Sequence, residues 1–222
     1  MSAEVIEAET TVLGANHKKT LMTKANYARL LRDQGKLNDA ERIFKEVVAG
    51  RTTTCGANHA ETLAALSGLA IVLTQQGKLE EAERLYLEVI EGLTAALGAN
   101  HDSTRATKGN YAGVLKKQGK HAEAEKIYRE VIESRTAAFG AGDSCTLDSK
   151  HNFGVMLLED LGNRAQARPL LQEADVGYAA VLGEDHQRTQ MARQNLARCD
   201  AESAQDLDSH EASLERTPSI GM

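Results

Sequence analysis

Gly14-Ala15-Asn16-His17, Gly56-Ala57-Asn58-His59 and Gly98-Ala99-Asn100-His101 are one tetrapeptide written three times, 42 residues apart. Gly140-Ala141-Gly142-Asp143 keeps the register in altered form, and Gly183-Glu184-Asp185-His186 follows 43 residues later. A second marker lies halfway along each interval: Gln34-Gly35-Lys36, Gln76-Gly77-Lys78, Gln118-Gly119-Lys120 and the degenerate Leu161-Gly162-Asn163. A fixed period on the order of 20–50 residues marks an array of stacked supersecondary units. The period therefore decides the fold.

Between the markers the apolar spacing is helical. Leu63, Leu66, Leu69, Ala70 and Leu73 form one stripe before Gly77, and Leu79, Ala82, Leu85, Tyr86, Val89 and Ile90 form another after it. Each half runs about 16 to 18 residues, an ordinary helix length. Asn16, Asn58 and Asn100 stand where an N-cap side chain is expected to satisfy free helix-start N–H groups. The glycine after each first helix supplies the positive φ that ends it. The unit is helix A, tight turn, helix B, loop.

The order of large, small and aromatic residues resembles the tetratricopeptide repeat. The second repeat carries the signature as Leu66, Leu69, Ala70, Leu73, Gly77, Leu79, Ala82, Tyr86 and Val89. Tyr27, Ala28, Leu31, Gly35, Ala40, Phe44 and Val47 supply it in the first, and Tyr111, Ala112, Leu115, Gly119, Ala124, Tyr128 and Val131 in the third. The fourth has Phe153, Gly154, Leu157, Gly162, Ala167, Leu171 and Ala174. The long repeat and the Gly-x-x-His loop are similar to those of the kinesin light chain subclass. The resemblance spans roughly residues 4 to 202 and implies an all-α fold: a right-handed superhelical α-solenoid of antiparallel helix pairs. The expected divisions are a half repeat over 1–12, repeats over 13–54, 55–96, 97–138 and 139–181, a capping helix over 182–203 and a disordered tail over 204–222.

Two features depart from the pattern. Lys24, Lys108 and Lys150 occupy a helix A column where an apolar residue is expected, so their stems should lie along a neighbour with the ammonium pushed outward. Pro169 falls in helix B of the fourth repeat, near its start, where a missing N–H is expected to cost little.

At the N-terminus, Glu4-Val5-Ile6-Glu7 aligns with Glu88-Val89-Ile90-Glu91, so the chain opens within a helix B. Solenoid ends need polar faces. Either the chain is a section of a longer array, which is the expectation, or this edge docks on something. Toward the other end Arg188, Arg193, Gln194, Arg198, Asp200 and Glu202 make a polar capping helix. Thr217-Pro218 is a phosphorylation-type dipeptide of low specificity.

Composition agrees with a packed helical array. Hydrophobic residues make up 41% and charged ones 26%, with five Tyr, three Phe and no Trp, so the core rests on Leu, Ile, Val and Ala. Two prolines leave room for uninterrupted helices. A formal charge of −6 argues against nucleic acid or an anionic membrane as the main partner. Cys55, Cys145 and Cys199 are far apart and form no CxxC, which suits a reducing compartment. With no signal-like segment and no long apolar run, a cytoplasmic location is expected.

Chemistry-bearing motifs are absent from the sequence. His17, His59, His101 and His186 sit on successive loops, with backbones on the order of 10 Å apart. Zinc ligands must converge to within about 2–2.3 Å of one ion, so loop packing and capping is the better explanation. His210-Glu211 does not extend to HExxH, and no phosphate loop or nucleophile elbow is present. Acidic runs such as Glu80-Glu81 open helix B, where carboxylates favour the positive helix end. No enzymatic activity, metal, cofactor or small-molecule substrate is expected.

One column points to binding. Asn26, Gly68, Asn110, Asn152 and Asn195 stand immediately before the large residue of each helix A. Asparagine costs a helix interior roughly 0.5–0.7 kcal/mol relative to Ala, so its recurrence wants a reason. The column lies almost opposite the packing stripe, on the side expected to be concave. There an amide can pair with a peptide backbone without reading its sequence; in proteins that this repeat resembles, asparagine at the matching position clamps bound peptides. The alternative is an amide bonded to its neighbouring helix or to water. Arg29, Arg32, Lys116 and Lys117 share these wheel positions with Asp33, Asp148 and Glu159, which either steers an acidic peptide or is an ordinary mixed surface. The expected peptide-binding residues are Asn26, Arg29, Asn110, Lys117, Asn152 and Asn195. The expected function is an adaptor binding an extended segment of another protein, an acidic one if those basic residues steer it. The alternative is a structural or sensor section of a larger multidomain signalling NTPase or kinase.

Overall fold

The computed structural model describes residues 3–214, with side chains from 4 to 201. Among the described residues there are ten α-helices and no strand. They are α1 (Ala3–Leu13), α2 (Lys18–Asp33), α3 (Leu37–Cys55), α4 (Ala60–Gln75), α5 (Leu79–Leu97), α6 (Asp102–Lys117), α7 (His121–Phe139), α8 (Ser144–Glu159), α9 (Arg164–Leu182) and α10 (Gln187–Leu214). From α2 to α9 they alternate strictly: 16 residues for each helix A and 19 for each helix B. The chain forms two compact units, Met1–Ile127 and Tyr128–Met222.

The marker tetrapeptides cap helices, but through the histidine rather than the expected asparagine. Nδ1 of His17, His59 and His101 accepts the N–H of Lys19, Glu61 and Ser103, each at 3.2 Å. That nitrogen carries no hydrogen as acceptor, so the ring proton sits on Nε2. The shift by one residue follows from backbone geometry: His59 is the extended residue at the helix entry (φ −71°, ψ 140°). In the altered loop Asp143 does the same work on two N–H groups, those of Cys145 and Thr146. Three of the loops are then tied down from within their own helix A. The hydroxyls of Thr62, Thr104 and Thr189, all fully buried, donate to the carbonyls of Gly56, Gly98 and Gly183.

In the first unit Leu63 and Leu66 of α4 pack on Val89 and Leu93 of α5, with Val48 and Leu85 around them. Burying each such side chain is worth about 1.5–3 kcal/mol. Ala28, Ala40, Ala70 and Ala82 are fully buried, and small residues at these positions let the paired helices approach. The second unit closes in the same way around Leu147, Ala174, Tyr178 and Ala192. Within the first unit α2 touches α4 and α4 touches α6, whereas α3 and α5 do not touch each other among the described residues. The A helices therefore line the inner side of this unit.

The halfway marker works as a clasp on the preceding repeat. Glu41 of α3 accepts hydrogen bonds from Gln76 Nε2 (2.9 Å), Lys78 Nζ (2.8 Å) and Lys45 Nζ (2.6 Å). One repeat on, Glu83 accepts from Gln118 Nε2 (2.8 Å), Lys120 Nζ (2.8 Å) and the Tyr111 hydroxyl (3.3 Å). Hydrogen bonds from Lys45 and Lys78 hold the Glu41 carboxyl down at about 2. Those from Lys120 and Gln118 lower that of Glu83 in the same direction.

The unusual lysines find acids across the helix pair. Lys24 Nζ reaches Glu46 at 2.8 Å, and Lys150, only 5% exposed, reaches Glu173 at 2.6 Å. Pro169 is the sixth residue of α9, beyond the four free N–H groups of a helix start. It therefore removes one ladder bond, to the Ala165 carbonyl, a larger loss than expected from its place near the end.

α10 continues to Leu214, past the expected end of the capping helix at 203 and into the segment expected to be a disordered tail. Residues 201–214 contain no Gly or Pro and include three Ala, two Glu and two Leu, so no helix breaker stands among them. Thr217-Pro218 lies outside the described residues.

Candidate functional site

On each helix A three columns share the face opposite the seam, at i, i+3 and i+7. In the first unit they are Asn26, Gly68 and Asn110; Arg29, Ile71 and Gly113; and Asp33, Gln75 and Lys117. All but Gly68 are exposed or half-buried. This face lies on the inner side of the first unit, as the contacts among α2, α4 and α6 require.

The predicted residues are not equivalent there. Asn110 is exposed and has no intramolecular hydrogen bond among the described residues. Asn26 is half-buried, and its Oδ1 accepts from Arg29 Nη1 at 2.8 Å. Gly68 is buried because the ring of Phe44, from the preceding helix B, fills the space beside it. An asparagine at this position would clash, which explains the break in the column.

Charge on this face is unbalanced. Arg32 binds Asp33 through both Nε (3.0 Å) and Nη2 (2.8 Å), which satisfies that carboxylate locally. Arg29 donates to the Asn26 amide and makes no ion pair, and Lys117 has neither an ion pair nor a hydrogen bond among the described residues. Both are exposed. Between them α4 presents Ala64, Ser67, Ile71 and Gln75, a neutral surface of low relief. Beside Asn110 a Cβ at Gly109 would meet nothing within 4 Å, so the surface there is open.

The second unit treats the same columns differently. Asn152 is exposed without an intramolecular partner among the described residues, but Asn195 Nδ2 lies 3.0 Å from His151 Nε2, and Asn195 Oδ1 accepts from Arg198 Nη1 at 3.3 Å. Arg188 pairs with Asp148 (3.1 Å), which also accepts the Tyr178 hydroxyl (2.6 Å), and Arg198 pairs with Glu159 (2.9 Å). Burial and the Asp148 carboxylate push the Tyr178 phenol far up. Here α8 and α10 spend their polar groups on each other.

Neither the Glu41 and Glu83 clasps nor the loop-binding threonines stand out in the sequence; the signal for the clasps is a glutamate seven residues after the marker residues Gln34 and Gln76. Both recur at 42-residue spacing, as Glu41 and Glu83 and as Thr62 and Thr104. Among the described residues no group of three or more His, Cys, Asp and Glu side chains is placed to hold a metal ion. No helix among them is long and apolar enough to cross a membrane.

The sequence profile of the tetratricopeptide repeat matches residues 19–95, 61–137 and 103–174. No curated protein matches the chain. Among solved structures, a kinesin light chain candidate of Podosopora anserina with nearly identical TPR-like repeats is similar with a TM-score of 0.71 at 22% identity, covering 90% of this chain and 99% of that one. BtubC (BKLC) of P. vanneervenii is similar with a TM-score of 0.71 at 18% identity, covering 96% of this chain and 84% of that one. At these identities the likeness is one of fold, that of a solenoid of TPR-like helix pairs.

Proposed function

Because the chain belongs to the tetratricopeptide repeat family, we propose that it is an adaptor holding an extended, acidic segment of another protein along the inner face of its first unit. Repeats of this family support protein–protein interaction, and the fold is typically non-enzymatic; no reaction is assigned. The acidic specificity rests on one observation. Arg29 and Lys117 are exposed cations without a carboxylate partner on a face that also presents the unpaired Asn110 amide.

The Asn110 amide offers both a donor and an acceptor to a passing peptide bond. Fixed on a helix, it loses little freedom on binding, which lowers the cost of holding a chain that must itself be ordered. The two cations raise the encounter rate of an acidic segment and make it fall with salt. Because the face is open and shallow, affinity is expected near −7 to −8 kcal/mol, about micromolar. In the second unit, taken by itself, Asn152 is likewise an unpaired amide, while Asn26 and Asn195 already have partners.

The test is selection from a randomised pool of twelve-residue peptides on the intact chain and on the Asn110→Ala/Lys117→Ala variant. Binders enriched in Asp and Glu on the intact chain, and lost on the variant, support the proposal. Binders without acidic bias, or retained by a variant with an unchanged helical spectrum, reject it.

A further inference from the structure

The placement of the two unpaired cations sets a spacing. Arg29 is on α2 and Lys117 on α6, with α4 between them and touching both. Two steps between packed helices amount to about 20 Å, at roughly 8–10 Å each. The columns of the two residues differ by four positions, about one helical turn, which adds little to that separation. An extended chain advances about 3.3 Å per residue, so the same span covers about six residues.

We infer that the segment bound by the first unit carries two carboxylates about six residues apart, one for Arg29 and one for Lys117, joined by small uncharged residues. This rests on the acidic-peptide assignment above and adds its register. What lies between the cations supports it. α4 contains no Lys or Arg, and its exposed Ala64 and Gln75 and half-buried Ser67 and Ile71 offer neither a third anchor nor a repelling acid. The other acids near the ends of this face are already engaged: Asp33 by Arg32, Glu46 by Lys24 and Glu61 by Lys18. A carboxylate placed midway in the segment meets only a neutral surface and gains nothing from either cation. Spacing, rather than total negative charge, is then what the face selects.

The experiment uses the full chain and three fluorescent ten-residue peptides built on one Ala/Ser/Gly background. One carries Asp at positions 2 and 8, one carries Asp at positions 2 and 5, and the third has no Asp. The first two have equal charge. The expected result is binding of the six-apart peptide at least about tenfold tighter than the three-apart peptide, which is about 1.4 kcal/mol. Arg29→Ala and Lys117→Ala should each erase that difference. In a reversed pair, Lys117→Glu with Lys at position 8 should restore it. Equal binding of both acidic peptides, tighter than the neutral one, overturns the spacing while leaving an acidic surface standing. No preference for either acidic peptide over the neutral one overturns the acidic assignment itself.

Discussion

The ring of Phe44 stands directly against Gly68: a Cβ built on that glycine would lie 2.5 Å from Cε1 and 2.7 Å from Cζ. Phe44 is fully buried, so it has nowhere easy to go. Gly68→Asn should therefore lower stability by about 1–3 kcal/mol through overpacking, although asparagine has the better helix propensity. Combined with Phe44→Leu, much of the loss should return. Urea denaturation followed by helical circular dichroism measures both; an unchanged midpoint in the single variant would show that the ring yields freely.

The Glu41 clasp makes a prediction in pH. Its carboxyl titrates at about 2 in the fold, against an ordinary value of 4.5. A depressed carboxylate contributes stability that is complete above the ordinary value and is lost as pH falls toward the folded one. The urea midpoint should thus decline between about pH 5 and pH 2, with Glu83 acting in the same direction. Glu41→Gln should cost about 2 kcal/mol at neutral pH and flatten the decline. An equally steep decline in that variant would assign the acid sensitivity elsewhere.

The histidine caps can be exchanged for the aspartate of the altered loop. His59 accepts one N–H, whereas Asp143 accepts two and brings a negative charge to a helix start. His59→Ala should cost about 1 kcal/mol, and His59→Asp should equal or exceed the parent. Thermal melts of the three proteins at neutral pH decide it. Should the alanine variant melt with the parent, the cap contributes nothing.

Asn110 and Asn195 should separate binding from stability. Asn195 bridges His151 and Arg198, so Asn195→Ala should lower the melting midpoint and leave the affinity of an acidic peptide unchanged. Asn110→Ala should do the reverse, weakening the peptide by about 1 kcal/mol with little change in the melt. Calorimetry and melts on the same samples provide the comparison; matching effects from both would mean the two amides share one role.

Much of the fold was legible because the period recurs in short polar turns. Gly56 and Gly77 adopt φ of 97° and 78°, a geometry that few other residues accept, so their repetition betrays the helix ends. The packing stripe was equally plain, since Leu63, Leu66 and Val89 are buried where their spacing puts them. Capping was legible only to within one residue. Asn58 and His59 are both able to accept from a helix start, and the backbone angle alone chooses between them. The site was less legible still. A helical wheel places Asn26, Asn110, Asn152 and Asn195 on one face but does not say that Arg198 and His151 will occupy the last of them. Nor does it show the Phe44 ring beside Gly68, because that contact comes from another helix.

The clasp divides its parts between neighbours: the Gln-Gly-Lys turns of the second and third repeats grip an acid behind them, and the second repeat also holds an acid for the turn ahead. Duplication of a whole block therefore copies lock and key together, and the new joint closes with the same three side chains as the old. Array length can change by entire blocks without any fresh contact having to evolve at the seam.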